Sequence, residues 1–472
     1  MKYRFISAVL LIAVLLCTCL STSAIAEEPD GNGLDFETID QHLEEDIKKY
    51  HFPGMAVIVV DKDSVLFAKG YGTCSGPDQP FIIGSMSKSF TALAVMQLVE
   101  QGKIDLDRPM DDYIDSSGWF IPGTDHGRIT VRNLLTHTSG IATYQTFGSL
   151  ESTGNYGTYQ YSNPNYGLLS MIVEEVSGMP WDEYITLNIL DPLGMTHSAA
   201  SLEKSHENGL IAGYRNYFGI PIPGAPDYPG AIRKGMWESI PSGYITSSAS
   251  DMGRYLQMYL RGGDPLVSSE SIRRMFTETV PAGSDRYGFA WFDSSEVYGQ
   301  PIIEHSGNVE NYISHMFILP EKGIAVAVLI NMNDYFVGNS LYGYVVRPLL
   351  GDERTDVSGR YIGLHLAIDA IYILLFVISL TSLFSLKKWK TRAKSKGTAA
   401  VDILRHVILP AVLLSLPAAV STPYMVIWLY VKDLFLVLIS NAAILLGVGV
   451  FKVLYLIPGK RIRYHKITLD KA

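Results

Sequence analysis

Three long apolar runs occupy the last quarter of this 472-residue chain. They span residues 362–386, 407–431 and 434–456, and each is longer than the ~20 residues that a helix needs to cross a bilayer. Backbone amides find no water in hydrocarbon, so such runs are confined to helices there. The sequence therefore predicts three transmembrane helices, joined by a linker at 351–361 to a large polar part that precedes them.

Basic residues mark one side of these runs. They cluster in the loop at 387–402 and in the tail at 457–472, whereas Lys432 alone is basic between the second and third runs. The positive-inside rule therefore places the loop and the tail in the cytoplasm. We expect a multi-pass protein of the cell membrane whose large N-terminal part is extracytoplasmic.

The first 26 residues agree with this topology. Lys2 and Arg4 precede an apolar run, and the small-residue exit Ala24-Ile-Ala26 follows it, which is typical of a cleaved secretory signal. Loss of residues 1–26 leaves Cys74 as the one cysteine of the mature chain. A single cysteine excludes an intrachain disulfide and argues against a cysteine-ligated zinc. We expect no metal and no cofactor.

The net charge of −9 conceals an uneven distribution. Basic residues concentrate after Leu386, so the part before the apolar runs is strongly acidic. Phosphate backbones and anionic headgroups repel such a surface, which argues against nucleic acid as a partner. We expect a small-molecule substrate for the outer part and the lipid bilayer as the partner of the apolar runs.

Residues 34–350 are predicted to form one α/β domain. A helical pattern at 34–50 opens it, and residues 102–236 are rich in helices and loops. Strand patterns near both ends of the domain predict a single sheet built from both chain ends. The predicted strands are 55–60, 64–71, 287–292, 302–304, 312–319 and 324–330.

An apolar strand pattern passes through Gly84 into a long helical pattern that begins with Ser85-Met-Ser-Lys88. Residues three apart on a helix share a face, so the Lys88 amine is expected beside the Ser85 hydroxyl. A neutral Lys88 can take the hydroxyl proton, and the helix N-terminus favours the charge that develops. This setting predicts Ser85 as a nucleophile and Lys88 as its base. The alternative is that Ser85 is an ordinary N-cap.

Tyr161-Ser-Asn163 lies between Gly-rich and Tyr-rich loops and a predicted helix. Such a turn can aim a phenol and an amide at one point. The Tyr161 phenol can shuttle protons if a cation such as Lys88 lowers its pKa. The Asn163 amide can hold a substrate carbonyl and Lys88 together. Tyr161 is therefore a candidate catalytic residue and Asn163 a candidate binding residue.

His305-Ser306-Gly307 follows the predicted strand 302–304. Gly307 would let a substrate backbone approach the strand edge. The Asn308 amide is expected to pair with the Ser85 amide as an oxyanion hole. We therefore expect His305, Ser306, Gly307 and Asn308 to contact substrate. The alternative for His305 is a surface histidine at a strand end.

Other copies of these patterns are interpreted as structural. Ser201 and Lys204 repeat the first spacing, but in a polar stretch without a preceding strand, so an exposed turn is expected. The segment 134–140, Leu-Leu-Thr-His-Thr-Ser-Gly, is expected to be a helix end capped by Gly140 with His137 buried.

Together the three patterns resemble the motifs of the serine β-lactamase and penicillin-binding-protein family: Ser-x-x-Lys, Tyr-x-Asn or Ser-x-Asn, and Lys-Thr-Gly or His-x-Gly. They occur in the family's order, and the resemblance covers about 34–350. The resemblance is strongest to the branch of this family that contains class C β-lactamases, D-aminopeptidases and esterases. The resemblance implies a serine β-lactamase/DD-peptidase-like α/β fold, with an antiparallel sheet flanked by helices and a helical subdomain, and a serine hydrolase acting through an acyl-enzyme.

One position departs from class C β-lactamases, since His305 stands where they carry lysine. Neutral histidine holds a substrate carboxylate less well than an ammonium does. This favours a peptidase or esterase acting on D-amino-acid amides or esters. An outer domain followed by three spans also resembles the colibactin-maturation peptidases, which remove an acyl-D-asparagine cap. A class C-like β-lactamase and a penicillin-binding sensor without turnover remain as alternatives.

Overall fold

The computed structural model describes residues 36–49, 51–152, 154–224, 239–334, 343–350, 358–391, 396–419 and 424–456. The predicted signal segment, the tail at 457–472 and the linker residues 351–357 lie outside the described residues. The boundary between two compact units falls between Ser358 and Gly359.

The first unit combines a large sheet with helices on both sides. Its strands are β1 (Gly54–Asp61), β2 (Val65–Gly72), β3 (Phe81–Ile82), β4 (Tyr214–Tyr217), β5 (Ile220–Pro223), β6 (Thr246–Ser247), β7 (Val280–Ala282), β8 (Asp285–Tyr287), β9 (Phe292–Asp293), β10 (Ile303–Val309), β11 (Tyr312–Leu319), β12 (Ile324–Ile330) and β13 (Met332–Asn333). Its helices are α1 (Phe36–Lys49), α2 (Ser87–Glu100), α3 (Val131–Leu135), α4 (Asn163–Ser177), α5 (Trp181–Ile185), α6 (Leu202–Glu207), α7 (Ile240–Gly243), α8 (Ala249–Leu260), α9 (Ser269–Thr277), α10 (Ser295–Tyr298) and α11 (Gly343–Leu350).

The main sheet has eight strands in the order β2-β1-β12-β11-β10-β9-β8-β7, and every neighbouring pair is antiparallel. Strand β1 pairs with β12 in a register that sets Met55 opposite Ile330, which confirms the prediction of one sheet built from both chain ends. Strands β11 and β12 are buried throughout, because helices cover both faces of the sheet centre. Helix α8 packs directly on β1, where Gly253 leaves room for Ile58.

Helix α2 lies at the centre of the first unit. Twelve of its fourteen residues are buried, and it packs against α4 and α7. A helix surrounded by protein is apolar on every side, which explains why this sequence lacks a polar face. The helix therefore forms a rigid base for the residues at its N-terminus.

Two predicted strand boundaries near the end of the domain differ from the structure. Residues 288–291, inside the predicted strand 287–292, form a tight turn between β8 and β9, in which Ala290 adopts a left-handed backbone with φ 63°. Strand β10 continues to Val309, so His305, Ser306 and Gly307 lie inside the strand and do not follow it.

The second unit consists of helices, and the long ones are apolar. They are α12 (Ser358–Phe384), α13 (Leu386–Thr391), α14 (Lys396–Ile403), α15 (Leu409–Ala419), α16 (Tyr424–Tyr430) and α17 (Lys432–Leu456). By length and composition, two described segments can cross a membrane, Thr398–Ala419 and Lys432–Leu456. The first of the three predicted spans corresponds to a shorter apolar stretch, Asp369–Phe384. The second was expected at 407–431, but the apolar helix begins earlier and ends at Ala419.

Polar pairs connect helices within this second unit. Ser379 Oγ donates to Asn441 Oδ1 at 2.8 Å. Lys452 Nζ donates to Asp402 Oδ1 at 2.6 Å, and Trp389 Nε1 donates to Asp402 Oδ2 at 2.8 Å. These bonds link α12 to α17, α17 to α14, and α14 to α13.

Candidate active site

Ser85 lies in a short 3₁₀ turn, Gly84–Met86, that runs directly into α2. Gly84 has φ 56°, a left-handed conformation that glycine adopts without steric cost. The Ser87 hydroxyl bridges the turn to the next segment, since it donates to Gly84 O at 2.7 Å and accepts from Ile245 N at 3.0 Å. The turn therefore presents a partly exposed Ser85 above a fully buried helix.

Lys88 has no exposed surface, and polar atoms from three segments hold its amine. Its Nζ lies 3.1 Å from Ser85 Oγ, 2.8 Å from Asn163 Oδ1 and 2.6 Å from the carbonyl oxygen of Ser242. The predicted pairing of Ser85 with Lys88 is therefore present in the structure. A buried ammonium requires such partners, because burial alone disfavours its charge.

Tyr161 and Asn163 lie at the N-terminal end of α4 and face the same amine. The Lys88 Nζ is 4.8 Å from the centroid of the Tyr161 ring. Asn163 is the first residue of α4, and Pro164 follows it, a residue type that suits the first helical turn because it needs no N–H acceptor. The structure thus brings the first two sequence patterns together.

Strand β10 presses against the Ser85 turn. A Cβ atom built on Gly84 would lie 2.5 Å from Asn308 N, and one built on Gly307 would lie 2.1 Å from Ile83 O. The Ser314 hydroxyl adds a hydrogen bond to Ile83 O at 2.6 Å. Gly307 was expected to make room for substrate, but the space that its missing side chain leaves is filled by the Ile83 carbonyl. The Asn308 amide consequently lies beside the Ser85 turn.

His305 is buried, with 1% of its surface exposed, and is thus not a surface histidine. Its Nδ1 lies 2.6 Å from Ser306 O, and because a carbonyl only accepts, Nδ1 carries the proton. Its Nε2 then accepts a long 3.4 Å contact from the Tyr287 hydroxyl. Burial and the positive charge of Lys88 lower the pKa of His305 to about 3, so the ring is neutral at physiological pH. Ser306 and Asn308, on the opposite side of the strand, are partly exposed.

Three contributors to the site were not predicted. The Ser242 carbonyl belongs to a four-residue helix, α7, which Thr91 also fixes by donating to Pro241 O at 3.0 Å. Every residue type has a backbone carbonyl, so the sequence does not reveal which one contacts Lys88. Ser314 is one polar residue within an apolar strand, a pattern that could have marked it. The third is His137, whose Nδ1 accepts the Ser162 N–H at 3.1 Å.

For the segments interpreted as structural, the structure differs from the predictions only in detail. Ser201 caps a real helix, α6, and does not stand in a loose turn, with its hydroxyl accepting from Lys204 N at 3.4 Å. Helix α3 ends at Leu135, and His137 is buried as expected. The left-handed residue that follows this helix end directly is His137, with φ 57°, and not Gly140.

The fold around Ser85 is that of the serine β-lactamase and penicillin-binding-protein family. This chain belongs to the β-lactamase family, whose model, described as "Beta-lactamase", matches residues 39–343. The match covers the whole sheet and every residue of the candidate site.

Protein flp of Staphylococcus aureus (strain N315) is 25% identical over 329 residues, which cover 64% of this chain and 64% of flp. The chain thus spans less than two thirds of the length of that relative. The octameric penicillin-binding protein homologue from Pyrococcus abyssi is 29% identical, with a TM-score of 0.58 over 68% of this chain and 78% of the homologue. A D-stereospecific amidohydrolase from Streptomyces sp. shares the fold, with 21% identity and a TM-score of 0.52 over 63% of this chain and 94% of that enzyme.

Proposed function

We propose that this protein is a membrane-anchored serine hydrolase that cleaves D-amino-acid amides or esters through an acyl-enzyme on Ser85. The observation that carries the proposal is the 3.1 Å contact between Lys88 Nζ and Ser85 Oγ. It places a buried amine against the one partly exposed hydroxyl at the start of the central helix.

The partners of Lys88 favour its role as a base. Asn163 Oδ1 and the Ser242 carbonyl oxygen can only accept hydrogen bonds, so a neutral Lys88 donates its two N–H groups to them. Its lone pair is then left for the Ser85 hydroxyl proton. As Ser85 Oγ attacks the substrate carbonyl carbon, its proton passes to Lys88 and a tetrahedral intermediate forms. The bond from that carbon to the leaving amine or alcohol then breaks, which leaves the acyl-enzyme.

Charge that develops on the substrate carbonyl oxygen needs donors. The amides of Ser85 and Asn308 belong to segments that the two glycines bring into contact, and we assign them the oxyanion hole. Tyr161, beside Lys88, is assigned the return of the proton to the leaving amine or alcohol. Water then hydrolyses the acyl-enzyme with the same groups acting in reverse.

The substrate class follows from what surrounds the nucleophile. His305 is neutral and buried at the position where class C enzymes have a lysine. This position therefore has no ammonium to pair with a substrate carboxylate. Amides or esters with a D-amino-acid acyl part, from cell-wall peptides or exported acyl-D-amino-acid conjugates, suit this site better than β-lactams. The structural similarity to a D-stereospecific amidohydrolase supports the same class.

The apolar helices of the second unit support anchoring in the cell membrane. Two of them have the length and composition to cross it, and basic residues follow both Phe384 and Leu456 in the sequence. We assign the loop at 387–402 and the tail at 457–472 to the cytoplasm and the hydrolase domain to the outside.

Labelling by a fluorophosphonate or a fluorescent penicillin tests the nucleophile. We expect Ser85→Ala to abolish labelling while circular dichroism stays that of the wild type. Ser201→Ala is the matched control, because Ser201 precedes a lysine at the same spacing but caps an unrelated helix. Labelling that survives in Ser85→Ala and disappears in Ser201→Ala would overturn the assignment. Label that turns over with time indicates a hydrolase, whereas permanent label indicates a sensor.

Substrate preference decides between hydrolase classes. We expect kcat/KM for acyl-D-Ala and acyl-D-Asn amides to exceed that for a chromogenic cephalosporin, and His305→Lys to shift the ratio towards the cephalosporin. A wild-type protein that hydrolyses the cephalosporin near ~10⁷ M⁻¹s⁻¹ and ignores D-amides would be a β-lactamase, the second candidate function.

A further inference from the structure

Helix α3 ends in a hydrogen-bonded loop that carries His137 to the active-site turn. The His137 N–H donates to Leu134 O at 3.4 Å, and the Thr138 N–H donates to Asn133 O at 2.8 Å. This pair of bonds is a Schellman motif, in which the residue between helix cap and final donor is left-handed and usually glycine. Here that residue is His137, with φ 57°.

A left-handed backbone is sterically unfavourable for an L-residue that carries a Cβ. Such strain persists only where the surroundings hold it in place, and it often lies at functional sites. Glycine would relieve it here without disturbing the Schellman bonds. The side chain of His137 must therefore do something that glycine could not.

His137 clamps the chain on both sides of Tyr161. Its carbonyl oxygen accepts the N–H of Gln160 at 2.8 Å, and its ring Nδ1 accepts the N–H of Ser162 at 3.1 Å. The ring also packs against the Tyr161 ring, with centroids 4.4 Å apart. The clamp thus acts on backbone and side chain of the residue assigned to proton transfer, and on the residue before Asn163.

The ring of His137 stays neutral in this position. Because Nδ1 accepts a hydrogen bond, the single proton resides on Nε2. Burial holds the pKa of His137 well below its usual range. Nε2 has no hydrogen-bond partner among the residues that the structure describes, and the ring is enclosed by tyrosines, with Tyr287 at 4.8 Å and Tyr166 at 5.3 Å between centroids. The acceptor at Nδ1 is therefore present at neutral pH.

We propose that His137 is a positioning residue: through the Ser162 amide it holds Tyr161 and Asn163 at Lys88, without touching the substrate. The inference rests on the proposed function, since it assigns a purpose to the geometry of that acylation site. It predicts that the Nδ1 acceptor, more than the volume of the ring, sets the rate of acylation.

Two variants separate acceptor from ring. In His137→Asn, Oδ1 lies as many bonds from the backbone as Nδ1 does, and asparagine tolerates the left-handed backbone. In His137→Phe, the ring volume is kept and the acceptor is lost. With the full-length protein in detergent and an acyl-D-amino-acid anilide, we expect His137→Phe to lower kcat about 100-fold, as for other small misplacements of catalytic groups. KM should change less than about threefold, and His137→Asn should keep kcat within about fivefold of the wild type.

Amide hydrogen exchange gives a readout independent of turnover. The segment 158–163 should stay protected in the wild type and in His137→Asn and exchange faster in His137→Phe. The pH–rate profile of His137→Asn should keep the wild-type shape. A His137→Phe enzyme with wild-type kcat, equal losses in both variants, unchanged exchange, or a profile that loses a limb in His137→Asn would each overturn the proposal. An inactive wild type with the expected exchange pattern would instead refute the proposed function alone.

Discussion

At the scale of single residues, Lys88 contributes both to the stability of the fold and to the proposed acylation of Ser85. Its amine is the meeting point of the nucleophile turn, the first residue of α4 and the carbonyl end of α7. Loss of Lys88 leaves buried carbonyl and amide oxygens without a donor, which costs about 1–3 kcal/mol for each orphaned group. Its replacement therefore affects both folding and acylation, and experiments must separate the two.

Lys88 and Tyr161 should behave as one proton-transfer unit. We expect Lys88→Met and Tyr161→Phe each to lower kcat/KM by about 10²–10⁴-fold, and the double variant to be scarcely worse than either single variant, because each removal already breaks the same transfer. Steady-state kinetics on one D-amide, corrected for the folded fraction, measures this. Losses that multiply in the double variant would show separate roles.

Acid stability should depend on the buried histidine of β10. His305 has a pKa of about 3 in the folded protein, against about 6.5 in the unfolded chain. Between these values the unfolded chain binds more protons, so the free energy of unfolding decreases as the pH falls from 6.5 towards 3. The slope attributable to one such histidine is up to ~1.4 kcal/mol per pH unit.

Denaturant titrations at several pH values check this dependence. We expect His305→Gln to flatten the acid slope and the matched change at the exposed His206 to leave it unaltered. Equal slopes for His305→Gln and the wild type would show that His305 does not carry the dependence.

The sequence predicted those parts of the site that depend on the type and spacing of side chains. Spacing on a helix was enough to pair Ser85 with Lys88, and a turn pattern was enough to bring Asn163 to the same amine. The Ser242 carbonyl was missed because any residue supplies a carbonyl. His305 was recognised as a candidate, but its burial depends on the face of β10 that the register selects, which the local sequence does not reveal.

At the scale of elements, two glycines set the distance between the nucleophile turn and β10. Neither can carry a Cβ without meeting backbone, and backbone cannot rotate away as a side chain can. We expect Gly84→Ala and Gly307→Ala each to lower the free energy of unfolding by about 3 kcal/mol, the upper part of the range for overpacking or backbone strain.

Gly118→Ala is the control for both changes, since a Cβ at Gly118 meets no atom within 4 Å. Chemical denaturation gives the stability difference, and the rate of labelling by a fluorophosphonate reports on Ser85. Wild-type stability in Gly307→Ala would mean that β10 is not held against the turn in this way.

Strands β11 and β12 and helix α1 were predicted with nearly correct ends, because their apolar pattern runs without interruption. The turn between β8 and β9 was predicted as strand, since its residues are aromatic and only the left-handed Ala290 breaks the extended path. Positive φ at alanine is rare, so propensity gives no warning of it.

At the scale of the whole molecule, the direction of the chain in the membrane can be tested directly. We expect protease added to intact cells to cleave the hydrolase domain and to spare an epitope placed after Ala472, because the positive-inside rule assigns the basic tail to the cytoplasm. Permeabilised cells provide the control in which both are cleaved. Loss of the epitope in intact cells would reverse the topology.

Hydropathy predicted where the apolar helices lie but not where the described helices begin and end. The described helices α15 and α16 cover the second predicted run, and Pro410 and Pro417 lie within α15. Hydropathy is averaged over a window of residues, so it does not locate helix ends.

The arrangement of the main sheet also bears on how the protein is made. The carbonyl oxygen of Ile83, beside the nucleophile, accepts a hydrogen bond from Ser314, 231 residues further along the chain. Strand β1 likewise cannot pair with β12 until β12 has been synthesised. Synthesis reaches β10 and β11 only shortly before the first apolar helix. Ser85 therefore leaves the ribosome well before the strands that pack against its turn. It follows that the Ser85 turn gains its final surroundings only when nearly the whole first unit has been made.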